Sequence, residues 1–137
     1  MKKLIIVACC LVLSACARNR ENVPYVPNPN INEPTKIIER VIKHQPAVYI
    51  TVPYEVSAKS DCIEMRITEP GSRRKSPGDV ANTICYQNIG RIVLNKGDIW
   101  YVEIIDRLGN WMYYVYSFDE SEAKLFIDAM YTMMGKQ

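Results

Sequence analysis

The sequence predicts an α+β fold: a small antiparallel β-barrel or strongly bent sheet, with a C-terminal capping helix and a short helix before the strands. Three observations predict it. Hydropathy alternates with period two through much of residues 48–118, the pattern of strands buried on one face. After Asp119 the apolar residues fall at helical spacing instead. A separate helical patch over residues 35–44 stands ahead of the strands.

Thr35 to His44 puts Ile37, Ile38, Val41 and Ile42 on one side of a helix and Lys36, Glu39, Arg40 and Lys43 elsewhere. Pro46 forbids its continuation. His44, the only histidine, sits at the helix end, where a cation is mildly favoured, and reads as a surface or capping residue. Val48, Ile50 and Val52 alternate with Tyr49 and Thr51, and Ile63, Met65 and Ile67 alternate with Glu64, Arg66 and Thr68; both read as half-buried strands. Glu69 to Gly78 is a polar loop bounded by Pro-Gly steps. Ala81 to Tyr86 and Arg91 to Asn95 are further strands, and Asn95 to Asp98 is a turn. Ile99 to Asp106 and Trp111 to Phe118 form the strongest hairpin, joined by Arg107-Leu108-Gly109-Asn110. Asp119 with Glu122 offers a capping box for the last helix, whose stripe is Ala123, Phe126, Ile127, Met130 and Met134. Gly135 stands where a C-terminal cap belongs. That stripe needs cover, so the helix lies on the sheet or plugs the end of a barrel.

The N-terminus carries an address. Lys2 and Lys3 are a positive n-region, Leu4 to Leu13 is apolar, and Leu13-Ser14-Ala15-Cys16 follows. The apolar run is too short for a hydrocarbon core of about 30 Å, which takes roughly 20 residues. Leu13-Ser14-Ala15-Cys16 resembles the lipobox of bacterial lipoproteins. The resemblance covers the first sixteen residues and implies diacylglycerol on Cys16, cleavage before it and acylation of the new amine. Ala17 in place of an aspartate then favours the outer membrane, periplasmic face, in a Gram-negative cell. The other reading is an ordinary secretory signal cut nearby.

Loss of residues 1–15 removes two of the 17 Lys+Arg, leaving 15 against 15 Asp+Glu, so no nucleic-acid partner is implied. Of five cysteines, Cys9 and Cys10 leave with the signal and Cys16 takes lipid. Cys62 and Cys85 remain, an even pair in an oxidising compartment, and read as one disulfide. A metal or redox site lacks partners, since there is no CxxC and one histidine; no cofactor or metal is expected. Residues 16–34, with Pro24, Pro27, Pro29 and Pro34, read as a solvated tether of up to roughly 50 Å. Residues 35–137 form one domain.

A second resemblance is to the closing half of pleckstrin-homology-like domains. It rests on Tyr86-Gln-Asn-Ile-Gly-Arg-Ile-Val-Leu, Ile99-Trp-Tyr-Val-Glu-Ile-Ile-Asp, Tyr113-Tyr-Val-Tyr and Ser121-Glu-Ala-Lys-Leu-Phe-Ile, about the last fifty residues. It implies a bent antiparallel sheet closed by a terminal helix, and a domain that binds lipids, peptides or proteins. The early helix and the disulfide depart from that plan.

Two contact sites follow. Arg73, Arg74 and Lys75 form a candidate grip for an anionic lipid or glycan, or else a solvated loop. Tyr101, Tyr114 and Tyr116 form a candidate interaction surface, or else cross-strand pairs that stabilise a small sheet. No nucleophile elbow, zinc-protease motif or phosphate-binding glycine loop is present. Asp98, Glu103, Asp106 and Asp119 surround the hairpin, yet acids at turns are ordinary. The expected function is non-enzymatic: a membrane-anchored envelope lipoprotein presenting a protein-interaction domain, as accessory subunit of an envelope assembly. Anionic-ligand binding through the basic loop is the alternative, and cell-wall or lipid hydrolysis a weaker one.

Overall fold

The computed structural model describes residues 20–68 and 80–137. Its elements, in chain order, are β1 (Glu21–Asn22), α1 (Pro34–Lys43), β2 (Glu55–Ala58), β3 (Cys62–Ile67), β4 (Val80–Cys85), β5 (Ile89–Lys96), β6 (Trp100–Asp106), β7 (Trp111–Ser117) and α2 (Glu120–Met134). A 3-10 turn, Tyr86–Asn88, stands between β4 and β5. The fold is α+β, with two antiparallel sheets ordered β2-β3-β4 and β1-β5-β6-β7.

Among the described residues no strand pairing joins the two sheets, so the barrel alternative gives way to a bent, open arrangement. The 3-10 turn carries the chain from one sheet to the other. Gly90 lets the first residues of β5 come close to β6: a Cβ there would lie 2.5 Å from the Asp106 carbonyl oxygen. The register shifts at this point, between Ile89 and Arg91.

Helix α1 starts on buried Pro34, where a missing N–H costs nothing, and ends at His44. His44 caps it, with Nδ1 2.6 Å from the Arg40 carbonyl oxygen. Helix α2 begins at Asp119, whose carboxylate accepts from the Ser121 N–H at 2.8 Å. The expected capping box is only half made. Glu122 accepts from the Ser117 hydroxyl at 3.4 Å, and Ser117 takes the Asp119 N–H. Gly135 stands at the C-cap in a right-handed conformation, without the left-handed turn expected of a capping glycine.

One core lies between the helices and the sheets. Ile38, Val41 and Ile42 of α1 and Phe126, Ile127 and Met130 of α2 meet Ile63, Met65 and Ile84 of the small sheet and Val102, Ile104, Tyr113 and Val115 of the large one. Helix α2 therefore lies on the sheet, one of its two expected positions. Cys62 and Cys85 face each other across β3 and β4 and are joined by a disulfide. It spans 23 residues, a closure that contributes about 3 kcal/mol on the chain-entropy view.

Two expectations are corrected. Residues 48–52 are not a strand. Pro46 starts a turn closed by the Tyr49 N–H on the Pro46 carbonyl, and Val48 is 82% exposed. The turn takes up the start of this segment, no strand is paired with it among the described residues, and the ladder with β3 begins at Glu55 instead.

The second concerns the tether. From Arg20 onward the proline-rich segment lies along the domain. Glu21 and Asn22 pair with Lys96 and Asn95. Val23, Tyr25 and Ile31 pack against the core. Asp128 accepts from the Tyr25 hydroxyl at 2.9 Å and from the Asn28 N–H at 2.8 Å, and Thr132 accepts from the Ile31 N–H at 3.3 Å. Burial, with the Asp128 carboxylate beside it, pushes the Tyr25 phenol up to about 12. The prolines hold this segment extended, the shape needed to lie in a shallow groove.

Candidate functional site

The hairpin of β6 and β7 sorts its side chains by register. Val102 opposite Val115, and Ile104 opposite Tyr113, point into the core under α2. Tyr101 opposite Tyr116, and Glu103 opposite Tyr114, point to the other face, since neighbours along a strand alternate. The three tyrosines singled out from sequence are thus brought together, each half-buried, on the side of the sheet away from the core.

Their rings form a continuous cluster. Trp111 lies 5.2 Å from Tyr114, Tyr114 lies 6.0 Å from Tyr116, and Tyr101 sits 5.8 Å from both tyrosines. The turn after α1 adds Tyr49, stacked on Tyr116 at 5.6 Å, and Phe118 meets Tyr49 edge-on at 6.5 Å. Such pairs contribute about 0.5–1.5 kcal/mol each beyond area burial.

Gln45 fixes the turn that delivers Tyr49. Its Nε2 donates to the Ile42 carbonyl at 3.2 Å and to the Tyr113 hydroxyl at 3.3 Å, while its Oε1 accepts the Tyr116 N–H at 2.9 Å. One buried amide therefore ties the end of α1 to the free edge of β7.

Two concavities border the cluster. A cleft of about 120 Å³ is lined by Arg20, Tyr49, Asp98, Tyr101, Tyr114 and Tyr116. A wider groove of about 400 Å³ runs between β7 and the small sheet, past Ile50, Ile67, Asn82, Trp111 and Tyr114. Burial pushes the Tyr101 phenol up, and Arg20 pulls it partly back. Burial also raises Tyr116, with Tyr114 adding to it and Arg20 opposing. These hydroxyls therefore stay protonated at neutral pH and offer hydrogen-bond donors and acceptors around an apolar floor.

The other sequence candidates divide. Cys16 and the loop Arg73-Arg74-Lys75 lie outside the described residues. Asp106 is engaged with its own loop, accepting from the Leu108 N–H and the Asn110 N–H at 2.8 Å and from the Asn110 amide at 3.1 Å. Those bonds, from Asn110 first, hold its carboxyl below the ordinary carboxylate range. Asp119 is lowered likewise by Ser121. Among the described residues no group of three or more His, Cys, Asp or Glu is placed to hold a metal. None of the described helices is long and apolar enough to cross a membrane.

Sequence reading missed Tyr49, Phe118 and Arg20 as members of this surface. From sequence Tyr49 reads as part of a strand and Arg20 as part of a free tether; the pairing of its neighbours in β1 brings Arg20 here. Comparison with protein families, with curated proteins and with solved structures finds no match.

Proposed function

We propose that the chain is an exported lipoprotein, cut before Cys16 and held by lipid on the periplasmic face of the outer membrane. It acts without catalysis, by presenting a protein-interaction domain as accessory subunit of an envelope assembly. The observation that carries this reading is the aromatic cluster outside the core. The opposite face of the same sheet is closed by α2, whereas Trp111, Tyr114 and the groove beside them are left for another molecule. Tyr and Trp concentrate at interfaces and dominate their energetics. Asp106 and Asp119, acids that sequence places beside the hairpin, are occupied as loop and helix caps, which favours binding over hydrolysis. Within the α+β class we read the pleckstrin-homology-like plan. A three-stranded sheet, a β5–β7 meander and a terminal helix in this chain order support it. The strap of residues 20–31, helix α1 and the disulfide are departures.

Crosslinking in intact cells tests the function. Trp111→Ala removes a largely exposed ring and one ring contact, with Tyr114, and should cost about 0.5–1.5 kcal/mol of stability. It should nevertheless reduce recovery of the crosslinked partner, since interface hot spots cost 2 kcal/mol or more. An unchanged crosslink pattern would remove the groove as the interface. Cys16→Ala should leave an unprocessed precursor without fatty-acid label; normal labelling would remove the anchor.

A further inference from the structure

The aromatic face has two ends, and only one of them lies beside the anchor. Residue Glu21 pairs with Lys96, the last residue of β5, so the chain enters the domain at the turn between β5 and β6. Arg20 lines the cleft there with Asp98, Tyr101 and Tyr116. Trp100 pairs with Ser117 at this same end of the hairpin, which places Phe118 just beyond it. Cys16 is four residues before Arg20, and four extended residues span at most about 14 Å. The long tether expected from sequence would have allowed any orientation. With β1 fixed in the sheet, that freedom is gone.

The side chains at this end suit a bilayer surface. Val48 is 82% exposed, Phe118 is 72% exposed, and Tyr49 joins them through its contact with Phe118. Tyr101 and Tyr116 line the cleft behind them, together with Arg20. Aromatic rings with a polar tip concentrate at the level of lipid headgroups, and a cation there is favoured by anionic lipid. Exposed apolar residues gathered at one end of a small domain mark a place of contact.

We infer that this end of the face, Val48, Tyr49 and Phe118 with Tyr101 and Tyr116 behind them, rests in the headgroup layer of the membrane that holds Cys16. The inference rests on the lipoprotein reading and adds an orientation to it. The domain lies against the bilayer by its anchor end. Trp111 lies toward the far end of β7, with the Tyr114 ring between it and Tyr116, and is left there for a protein partner.

The test uses the full acylated protein in vesicles of phosphatidylethanolamine and phosphatidylglycerol, the lipids brominated near the headgroup. Tryptophan reporters are introduced as F118W at the anchor end and L108W at the exposed far tip of the hairpin, with V48W as a second anchor-end reporter. Wild-type protein supplies the background of Trp100 and Trp111. Bromine should quench F118W and V48W several-fold more than L108W. Equal or weaker quenching, with acylation of Cys16 confirmed by mass, overturns the orientation and leaves the lipoprotein reading standing. Absence of acylation overturns both. Quenching at the anchor end that requires co-reconstituted envelope proteins overturns the inference in favour of a protein contact there.

Discussion

Tyr113 and Tyr114 are adjacent in sequence and occupy opposite faces of one strand. Tyr113 is 4% exposed, packed in the core, with its hydroxyl bonded to Gln45. Tyr114 is half-buried and its neighbours are other rings, Trp111, Tyr101 and Tyr116. The two faces of the hairpin are alike in residue type and differ in what covers them. A helix closes one, and among the described residues the other is covered by its own ring contacts and by Tyr49. An aromatic side chain in a small sheet thus takes its role from the layer laid over it, more than from its own chemistry.

The sharpest way to break the comparison is to truncate both tyrosines. Tyr113→Ala removes a ring from a closed core and should cost about 3–5 kcal/mol in denaturant unfolding, the range for buried aromatics. Tyr114→Ala loses three partly exposed ring contacts, at about 0.5–1.5 kcal/mol each, and little core, so it should cost less than Tyr113→Ala. Equal losses would show that the outer face is core as well.

Gln45→Ala comes next, because this amide serves both faces through the Tyr113 hydroxyl and the Tyr116 N–H. Leaving buried polar groups unpaired costs about 1–3 kcal/mol. The variant should also loosen the turn that places Tyr49, read as faster amide exchange at Tyr116. Unchanged exchange would show that the turn is held by the ring stacking alone.

The smallest effect concerns the helix that makes the inner face an inner face. Asp119 caps α2, and hydrogen bonds from Ser121 hold its carboxyl below the ordinary value of 3.8. A lowered folded pKa means stability that is present above the unfolded value and lost as pH falls through the folded one. Asn also caps helices well, so Asp119→Asn should change little at neutral pH. Thermal unfolding followed from about pH 5 down to about pH 2 should fall less steeply in the variant. Identical slopes would place the acid sensitivity elsewhere, with Asp106 the next group to replace.

Much of the molecule was legible because its signals are local. Helix α1 announced itself through Ile38, Val41 and Ile42, and α2 through Asp119 and a stripe at helical spacing. Strand β3 was plain in the alternation of Ile63 and Met65 with Glu64 and Arg66, and the β6–β7 hairpin in its turn. Its loop carries the positive φ at Gly109. The cysteine pair followed from counting, and β3 and β4 set it in register.

The errors share a cause. Val48 to Val52 alternates like a strand, but a strand also needs a neighbour to pair with, and the turn at Pro46 leaves this segment without one among the described residues. Val23 and Tyr25 also alternate, inward at odd positions, within a segment whose prolines read as solvated. What ties that segment down is Asp128, about a hundred residues away, and no local pattern announces a partner at that distance.

By itself the sequence determined the α+β class, the two helices, most strands, the cysteine pair and the collection of tyrosines on one hairpin. Only the tertiary structure decided that the sheets stay open, that residues 20–31 are part of the domain, and that Tyr49, Phe118 and Arg20 join the three tyrosines. The physical reason is that periodicity and capping act through neighbours along the chain. Which face of a sheet is covered depends on elements that meet only when the core closes.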